Sequence, residues 1–262
     1  MTILDQIIEN KRHEVEKAKS IVSIEQLMQS EHFGRKCNSL VASLLAEGSS
    51  GIISEFKRKS PSKDNINIGA GVAEVTKGYA DAGASGLSVL TDTVFFGGFK
   101  EDLFIAREKN PTTPILRKDF MIDEYQVYEA KSWGADVILL IAANLAPEEI
   151  EKLSKKAHEL GLEVLLEVHD QEELERSPLS NVDIIGVNNR NLKNFAENNV
   201  NASLNLADLI PADKVKISES CIDGAETINQ LKKAGYRGFL IGETFMKTTN
   251  PPSKLAELIA EL

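Results

Sequence analysis

Charged and polar side chains stand at the ends of several apolar segments of this sequence. The segment "IISEFKRKSPS", residues 52–62, carries Glu55 and Lys57 where its apolar part ends. Side chains two positions apart on a strand share a face, so these two would point the same way. Four further segments end in the same manner, with Lys118, Glu167, Asn188 and Glu219. Carboxylates and ammonium groups gathered in one place predict general acid–base chemistry.

Each of these residues alone has a simpler interpretation, as a solvated loop residue at a strand end. The set is harder to explain in that way, because an unpaired buried charge costs several kcal/mol even after relaxation. The total stability of a domain is only ~5–15 kcal/mol. Polar groups converging on one cavity must therefore pair, be hydrated or meet a ligand.

Eight apolar segments predict eight β-strands separated by helices. Four times, a helical segment ends in a glycine that precedes an apolar strand; these glycines, at positions where a left-handed residue is favoured, are Gly83, Gly134, Gly161 and Gly235. The predicted strands start near Ile52, Leu87, Ile115, Val137, Glu163, Ile184, Val215 and Phe239. Their spacing of roughly 25 residues is typical of an α/β fold, the (β/α)8 TIM barrel, whose catalytic face lies at the carboxyl ends of the strands. A doubly wound open sheet is the alternative, because strand count does not prove closure.

Residues 1–48 predict an N-terminal helical extension, followed by the barrel over residues 49–262, with one domain overall. Thr2 can cap a first helix. The apolar positions along one side of this helix are Leu4, Ile7, Ile8 and Val15. Its charged residues elsewhere include Lys11, Glu14 and Lys17. The apolar side must pack either on the bottom or outside of the barrel or near its mouth, and the pattern does not choose.

The composition argues against several classes of protein. The chain has 262 residues and a formal net charge of -10, whereas nucleic-acid binding requires a basic face. Cys37 and Cys221 lack CxxC spacing, which favours a reducing compartment over a disulfide framework or a thiolate zinc site. The charged N-terminus predicts no secretory leader, and the apolar run "VILLIAA" is too short to cross a bilayer. We therefore expect a cytoplasmic protein with no membrane or nucleic-acid partner.

A second group of residues follows strands seven and eight, where such barrels often bind phosphate through backbone N–H groups and a short helix. The segments there are "SESCIDG" and "IGETFMK". Gly242 allows close approach of the backbone, residues 243–247 can form the short helix, and Ser60 can add a hydroxyl. The pattern predicts a phosphate site at this part of the mouth.

The histidines and cysteines show no pattern of a metal site or a nucleophile. His13, His32, His158 and His169 lack metal-ligand spacing, and we interpret each as a surface or helix-end residue, with His169 nearest the mouth. Cys221 has no histidine nearby in sequence to activate it, so we interpret it as a small apolar filler.

Seven stretches form a recognisable set: "IISEFKRKSPS", "FFGG", "RKDFMIDEYQVYEA", "LLEVHD", "GVNNRNL", "ISES" and "LIGETFMK". They resemble the successive motifs of the indole-3-glycerol phosphate synthase family, and the similarity runs from "ILDQIIENKRHEV" to the last strand. The resemblance implies decarboxylating and dehydrating ring closure of 1-(o-carboxyphenylamino)-1-deoxyribulose 5-phosphate in tryptophan biosynthesis. It implies a small phosphorylated substrate and no metal or organic cofactor.

The resemblance also implies roles for the strand-end residues. Lys118 would be the acid for ring closure, and Glu167 would stabilise a positively charged intermediate or act as an acid. Lys57 would hold the substrate's carboxylate or phosphate and protonate the leaving hydroxyl, with Glu55 as its partner base. The residues implied to orient the carboxylate and the sugar hydroxyls are Asn188, Glu219 and Arg190. Those implied to form the slot for the aromatic ring are Phe95, Phe120 and Leu139. Those implied to hold the phosphate are Ser60, Ser220, Gly242 and Glu243.

Two positions depart from the family's usual pattern. Cys221 stands where glycine is usual, and Lys63-Asp64 replaces a common Lys-Gly turn. A Cβ at position 221 would crowd a phosphate bound to the backbone, so we expect weaker phosphate binding or a shifted loop rather than lost activity.

Two other functions remain as alternatives. A phosphoribosylanthranilate isomerase barrel would use a Cys and an Asp at its strand ends. A catalytically inactive binding protein on the same scaffold would have lost Lys57, Lys118 or Glu167, and all three are present. We expect a monomer rather than an oligomer.

Overall fold

The computed structural model describes residues 2–190 and 199–262. Within them, eight parallel strands close into a barrel, each paired with the next and the last with the first. The strands are β1 (Ile52–Phe56), β2 (Gly86–Leu90), β3 (Ile115–Lys118), β4 (Val137–Ile141), β5 (Glu163–Val168), β6 (Ile184–Asn188), β7 (Val215–Glu219) and β8 (Gly238–Ile241). Ile53 of β1 pairs with Leu240 of β8. The predicted TIM barrel is therefore confirmed, and the open sheet is excluded.

Helices precede the first strand and follow each of the eight strands. Those before β1 are α1 (Ile3–Ile21), α2 (Ile24–Met28) and α3 (Leu40–Leu45). The helices that follow in the described residues are α4 (Val72–Asp81), α5 (Lys100–Lys109), α6 (Glu124–Ser132), α7 (Pro147–Glu159), α8 (Gln171–Arg176), α9 (Asn201–Leu206), α10 (Ala225–Lys233), α11 (Glu243–Met246) and α12 (Pro251–Ala260).

The strands are apolar because both of their faces are covered, one by helices and the other by the barrel interior. All five residues of β4 are buried. The predicted strand starts agree with the structure to within one residue, β2 and β8 each beginning one position earlier, at a glycine. The four predicted helix-end glycines have φ between 74° and 97°, which confirms their left-handed conformation.

Helix α3 closes the bottom of the barrel. Leu40 and Leu44 are buried in one apolar cluster with residues of seven strands that point into the barrel. Gly86 makes room for this helix, because a Cβ there would lie 2.6 Å from the side chain of Leu40. Glu163, at the start of β5, accepts hydrogen bonds from the N–H groups of Leu40 at 2.8 Å and Val41 at 3.1 Å, which anchors the N-terminus of α3.

We expect Leu40→Ala to lower the free energy of unfolding by about 2–5 kcal/mol, because it leaves a cavity in the bottom layer. The value of kcat should stay at the wild-type level, since the mouth lies at the opposite end of the strands. Urea unfolding followed by circular dichroism, with activity assays on the same samples, measures both. Leu45→Ala is the matched control, because Leu45 ends the same helix with 54% of its surface exposed. Equal destabilisation by the two substitutions would contradict this role of α3.

Helix α1 lies over the mouth of the barrel. The Thr2 hydroxyl accepts a hydrogen bond from the N–H of Asp5 at 3.2 Å, which confirms the predicted cap. Ile3, Leu4 and Ile7 then line the cavity at the mouth. Of the placements that the sequence left open for this helix, it takes the one near the mouth, and a different helix, α3, closes the bottom.

The C-terminal end of α1 is held against α6. The Tyr125 hydroxyl donates to the carbonyls of Ala18 at 3.2 Å and Val22 at 2.8 Å. Between this end and the mouth lies Lys11, which the pattern placed away from the apolar side, yet only 3% of its surface is exposed. Among the described residues, no helix has the length and apolar character needed to cross a membrane.

Candidate active site

A cavity of about 320 Å³ opens at the carboxyl ends of the strands, in the size range of small-molecule sites. All but one of the sequence-predicted site residues line it: Glu55, Lys57, Ser60, Lys118, Phe120, Leu139, Glu167, Asn188, Arg190, Glu219, Ser220, Gly242 and Glu243. The exception is Phe95. Residues that are far apart in the sequence therefore share a single cavity.

Phe96 lines the cavity where Phe95 was expected. Asp92, just after β2, accepts hydrogen bonds from the N–H groups of Phe95 at 2.8 Å and Phe96 at 3.2 Å, which bends the chain into a turn. Consecutive turn residues point in different directions, and their spacing in the sequence does not show which one faces inward. The rings of Phe96 and Phe120 lie 5.9 Å apart between centroids. These two residues form what we call the aromatic wall of the cavity.

Lys118 joins three strands at the centre of the cavity. Its ammonium lies 2.8 Å from a carboxylate oxygen of Glu167 on β5 and 3.2 Å from one of Glu219 on β7. Asn188 on β6 donates a hydrogen bond to the other oxygen of Glu167 at 3.0 Å. The register pairs Asn188 with Glu219. Side chains at the carboxyl ends of β3, β5, β6 and β7 that face the cavity thus form the cluster.

The two carboxyl groups that share Lys118 have opposite pKa shifts. Burial raises the pKa of Glu167, but the positive charges of Lys118 and His169 outweigh it and lower this pKa to about 2. Burial, together with the negative charge of Glu167, raises the pKa of Glu219 to about 7 in spite of Lys118. Near neutral pH, Glu167 is ionised while Glu219 keeps a large share of its proton. Opposite pKa shifts of this kind allow two carboxyl groups in one site to take different roles, one as an anion and the other as an acid.

The pKa of Lys118 is also shifted. Burial lowers it, but the charges of Glu167 and Glu219 more than reverse this effect and raise it above its ordinary value. Lys118 is therefore an ammonium ion at neutral pH.

Oε1 of Glu219 is buried and lacks a hydrogen-bond partner among the described residues, so this oxygen can still accept a hydrogen bond from a substrate.

Between about pH 5 and about pH 8, we expect the free energy of unfolding to fall by roughly 1–3 kcal/mol less in Glu219→Gln than in the wild type. The pKa of Glu219 is raised from 4.5 to about 7 on folding, so in this window the folded protein binds more protons than the unfolded chain. The free energy of unfolding therefore falls as the pH rises. Urea unfolding of both proteins at the two pH values measures the difference. An identical pH dependence in the two proteins would assign the titration to another group.

Glu55 and Lys57 form a second ion pair in the same cavity. Their charged atoms lie 2.6 Å apart, and the Glu55 side chain is buried. Gly242 leaves the space for this carboxylate, because a Cβ at position 242 would lie 2.5 Å from its oxygen. Gly186 does the same for Glu219, whose carboxylate would overlap a Cβ at position 186. The two glycines thus leave the space that these two carboxylates occupy.

The predicted phosphate-binding residues lie together on one side of the mouth. Ser220, just after β7, has a left-handed φ of 66°, and Gly242 precedes the short helix α11. Glu243 pairs with Lys63 from the loop after β1, and its other oxygen lies 3.8 Å from Arg190. The loop after β1 is therefore tied to the start of α11, which follows the neighbouring strand β8.

Cys221 also has a left-handed conformation, with φ 58°. A glycine would adopt it without strain, whereas another residue pays roughly 1–2 kcal/mol. The thiol lines the cavity, and burial raises its pKa. The backbone at this position thus keeps the conformation of a glycine although the side chain is larger.

His169, which we interpreted from the sequence as a surface or helix-end residue nearest the mouth, lines the cavity. Its Nδ1 lies 3.1 Å from Glu173 and its Nε2 lies 3.6 Å from Glu167. Burial lowers the pKa of His169, but the hydrogen bond to Glu173 and the charge of Glu167 reverse this and raise it. The sequence contained a signal for this position. His169 stands two positions after Glu167, as Lys57 stands two after Glu55, and side chains with this spacing share a face.

The sequence matches the family model described as "Indole-3-glycerol phosphate synthase" over residues 4–258. A protein of that name from Bacteroides thetaiotaomicron is 50% identical over 257 residues, covering 98% of this chain and 97% of the relative. Proteins of the same name from Burkholderia lata and Neisseria meningitidis are each 40% identical over 259 residues, covering 98% of both chains.

Solved structures of distant sequence share the fold. A thiamine phosphate pyrophosphorylase from Pyrococcus furiosus superposes with a TM-score of 0.62 at 13% identity, covering 85% of this chain and 97% of that one. A structure described as "Native KDPGal structure" gives 0.57 at 13% identity, covering 80% and 91%. These two show the architecture alone. The family match and the close relatives, which span nearly the whole chain, show that the chain belongs to the indole-3-glycerol phosphate synthase family.

Proposed function

We propose that the cavity at the barrel mouth carries out the family's reaction, with Lys118 as the ring-closing acid. The family assigns to this chain the decarboxylating ring closure of 1-(o-carboxyphenylamino)-1-deoxyribulose 5-phosphate to indole-3-glycerol phosphate, in tryptophan biosynthesis. The observation that carries the proposal is the position of the Lys118 ammonium between Glu167 and Glu219, in a cavity that also contains the Glu55–Lys57 pair.

In the first step, the ring carbon that bears the carboxylate attacks the ketone carbon, and a carbon–carbon bond forms. Negative charge builds on the ketone oxygen, and Lys118 stabilises it and transfers a proton to it. Glu219 lies 3.2 Å from the resulting amine and, with a pKa raised to about 7, can return a proton to Lys118. A donor whose acid form persists near neutral pH suits this task.

The same attack leaves positive charge on the anilino nitrogen and the ring. Glu167 stays ionised at neutral pH and stabilises this charge. The carboxylate then leaves as carbon dioxide, and the electron pair of the broken bond restores the aromatic ring. The lowered pKa of Glu167 favours this electrostatic role over the alternative role of an acid.

The last step removes water. Lys57 protonates the leaving hydroxyl, and Glu55 accepts a proton from the carbon next to the nitrogen, which creates the double bond of the indole. The 2.6 Å contact between the two side chains lets the pair recover its original protonation after turnover. Every step is carried by side chains of this chain.

Binding of the substrate uses the remaining residues of the cavity. Phe120, Leu139 and Phe96 supply the apolar slot for the aromatic ring. Asn188 and Arg190, together with Glu219, orient the carboxylate and the sugar hydroxyls. The phosphate is held by Ser60, Ser220, Gly242 and Glu243, the last through its backbone.

Incubation of the purified protein with the carboxyphenylamino-deoxyribulose phosphate tests the proposal. The expected result is growth of indole fluorescence with release of one equivalent of carbon dioxide. Unchanged substrate, under conditions where circular dichroism shows folded protein, would refute it.

We also propose that residues 1–48 and 49–262 act as one domain, because α1 lines the cavity and α3 fills the bottom of the barrel. Both cysteines are free, in keeping with a cytoplasmic location. We propose a monomer, and light scattering coupled to gel filtration measures its mass.

A further inference from the structure

Lys11, in the middle of α1, has three carboxylate partners. Its ammonium lies 2.6 Å from Glu14, 2.9 Å from Asp92 and 2.9 Å from Asp119. A lysine is almost never buried unless it is paired, and burial of its charge carries a large desolvation cost. Burial lowers the pKa of Lys11, but the charges of Asp119 and Asp92 more than offset this and raise it. The side chain is thus a permanent cation between α1 and the barrel.

Asp92 connects Lys11 to one residue of the aromatic wall. Its Oδ1 accepts the N–H groups of Phe95 and Phe96, and its Oδ2 faces Lys11. The Asp92 side chain has no exposed surface. The turn that points Phe96 into the cavity therefore depends on a carboxylate whose charge is balanced by Lys11.

Asp119 connects Lys11 to the other residue of the wall. Its Oδ1 accepts the N–H of Phe120 at 2.8 Å and lies 2.9 Å from Lys11. Its Oδ2 accepts from Thr91 at 2.6 Å and Arg117 at 3.0 Å. Asp119 also directly follows Lys118 in the chain. A single ammonium thus joins the two carboxylates that fix the backbone of both aromatic residues.

The same helix contributes apolar side chains to the cavity. Leu4 and Ile7 precede Lys11 by seven and four positions, so the three lie on one face of α1. Leu4 and Ile7 line the cavity, whereas Lys11 lies beside it. The Lys11 cluster therefore holds to the barrel the same helix whose apolar side chains line the cavity.

We propose that Lys11 is a positioning residue for the aromatic part of the substrate, acting through Asp92 and Asp119 on the aromatic wall and through α1 on the cover of the cavity. The proposal rests on the proposed function of the cavity. The buried ion cluster does not touch the substrate, but it positions the side chains that recognise the anthranilate ring.

The test is the kinetics of Lys11→Met, which keeps the length of the side chain and removes its charge. We expect KM to rise about tenfold or more while kcat falls much less, because a displaced wall weakens binding more than it alters the proton donors. Tyr125→Phe is the matched control, since it weakens the attachment of α1 at its other end without touching Asp92 or Asp119. It should lower the melting temperature and leave KM unchanged. Lys11→Arg, which keeps the charge, should recover part of the KM of the wild type.

Equal KM values in Lys11→Met and Tyr125→Phe would overturn the proposal. They would show that Lys11 acts only on the stability of the fold. If Lys11→Met does not fold, Asp92→Asn carries the test. Its amide oxygen can still accept the N–H groups of the turn but no longer attracts Lys11, so KM should rise, and an unchanged KM would overturn the proposal. Failure of the proposed function is distinguishable, because the wild-type protein would then not turn over the substrate at all.

Discussion

The variant Lys118→Met closes the indole ring about 10²–10⁴ times more slowly than the wild type, the range expected for loss of a positioned proton donor. Methionine fills nearly the same volume, so the barrel should remain folded. The missing ammonium removes both the proton for the ketone oxygen and the positive charge that stabilises it. Single-turnover fluorescence at saturating substrate measures the rate, and circular dichroism confirms the fold.

Lys118→Arg separates the two contributions of the ammonium. A guanidinium keeps the charge between Glu167 and Glu219, but it does not give up its proton in proteins. The variant should bind substrate and still close the ring slowly. A near-normal rate in Lys118→Arg would show that the charge alone suffices, and the assignment of Lys118 as an acid would then be wrong.

The variant Glu167→Gln lowers kcat by about 10²–10³, comparable to the loss of one electrostatic stabiliser in an active site. Glutamine can still accept the hydrogen bond from Asn188, so the packing is kept. What disappears is the carboxylate charge, which the low pKa of Glu167 keeps ionised at all pH values of interest. The effect should appear in kcat more than in KM, because positive charge develops only during the reaction.

Glu163→Gln is the matched control for this prediction. Glu163 starts the same strand, β5, and binds the N–H groups of Leu40 and Val41 at the bottom of the barrel. Its substitution should lower the free energy of unfolding and leave kcat unchanged. If Glu163→Gln and Glu167→Gln lower kcat equally, the loss reflects a general disturbance of the strand rather than the missing charge at the mouth.

The barrel and most of its site were predictable because they follow from short-range rules. Apolar runs with helix-end glycines located the strands, and the alternation of strand side chains placed Glu55, Lys118, Glu167 and Glu219 on the inner face at one end. A parallel barrel has only one catalytic face, so equivalent positions on different strands converge. No long-range information was needed to bring these groups together.

The remaining residues depend on tertiary contacts that local patterns do not encode. Lys11 has the sequence setting of a solvated helix residue, and only the docking of α1 brings two carboxylates to it. Phe96 rather than Phe95 faces the cavity because Asp92 fixes the turn, which spacing cannot show. Of the missed residues, His169 alone had a local signal, its distance of two positions from Glu167.

A structure of the complex with a substrate whose ketone has been reduced to an alcohol would show which lysine donates to the ketone oxygen. Such a compound keeps the shape of the substrate but cannot undergo ring closure. We expect Nζ of Lys118 to lie about 2.7–3.2 Å from the new hydroxyl oxygen, with the aromatic ring against Phe96 and Phe120. If Nζ of Lys57 occupies that position and Lys118 lies beyond hydrogen-bonding distance, the assignment of the ring-closing acid is contradicted.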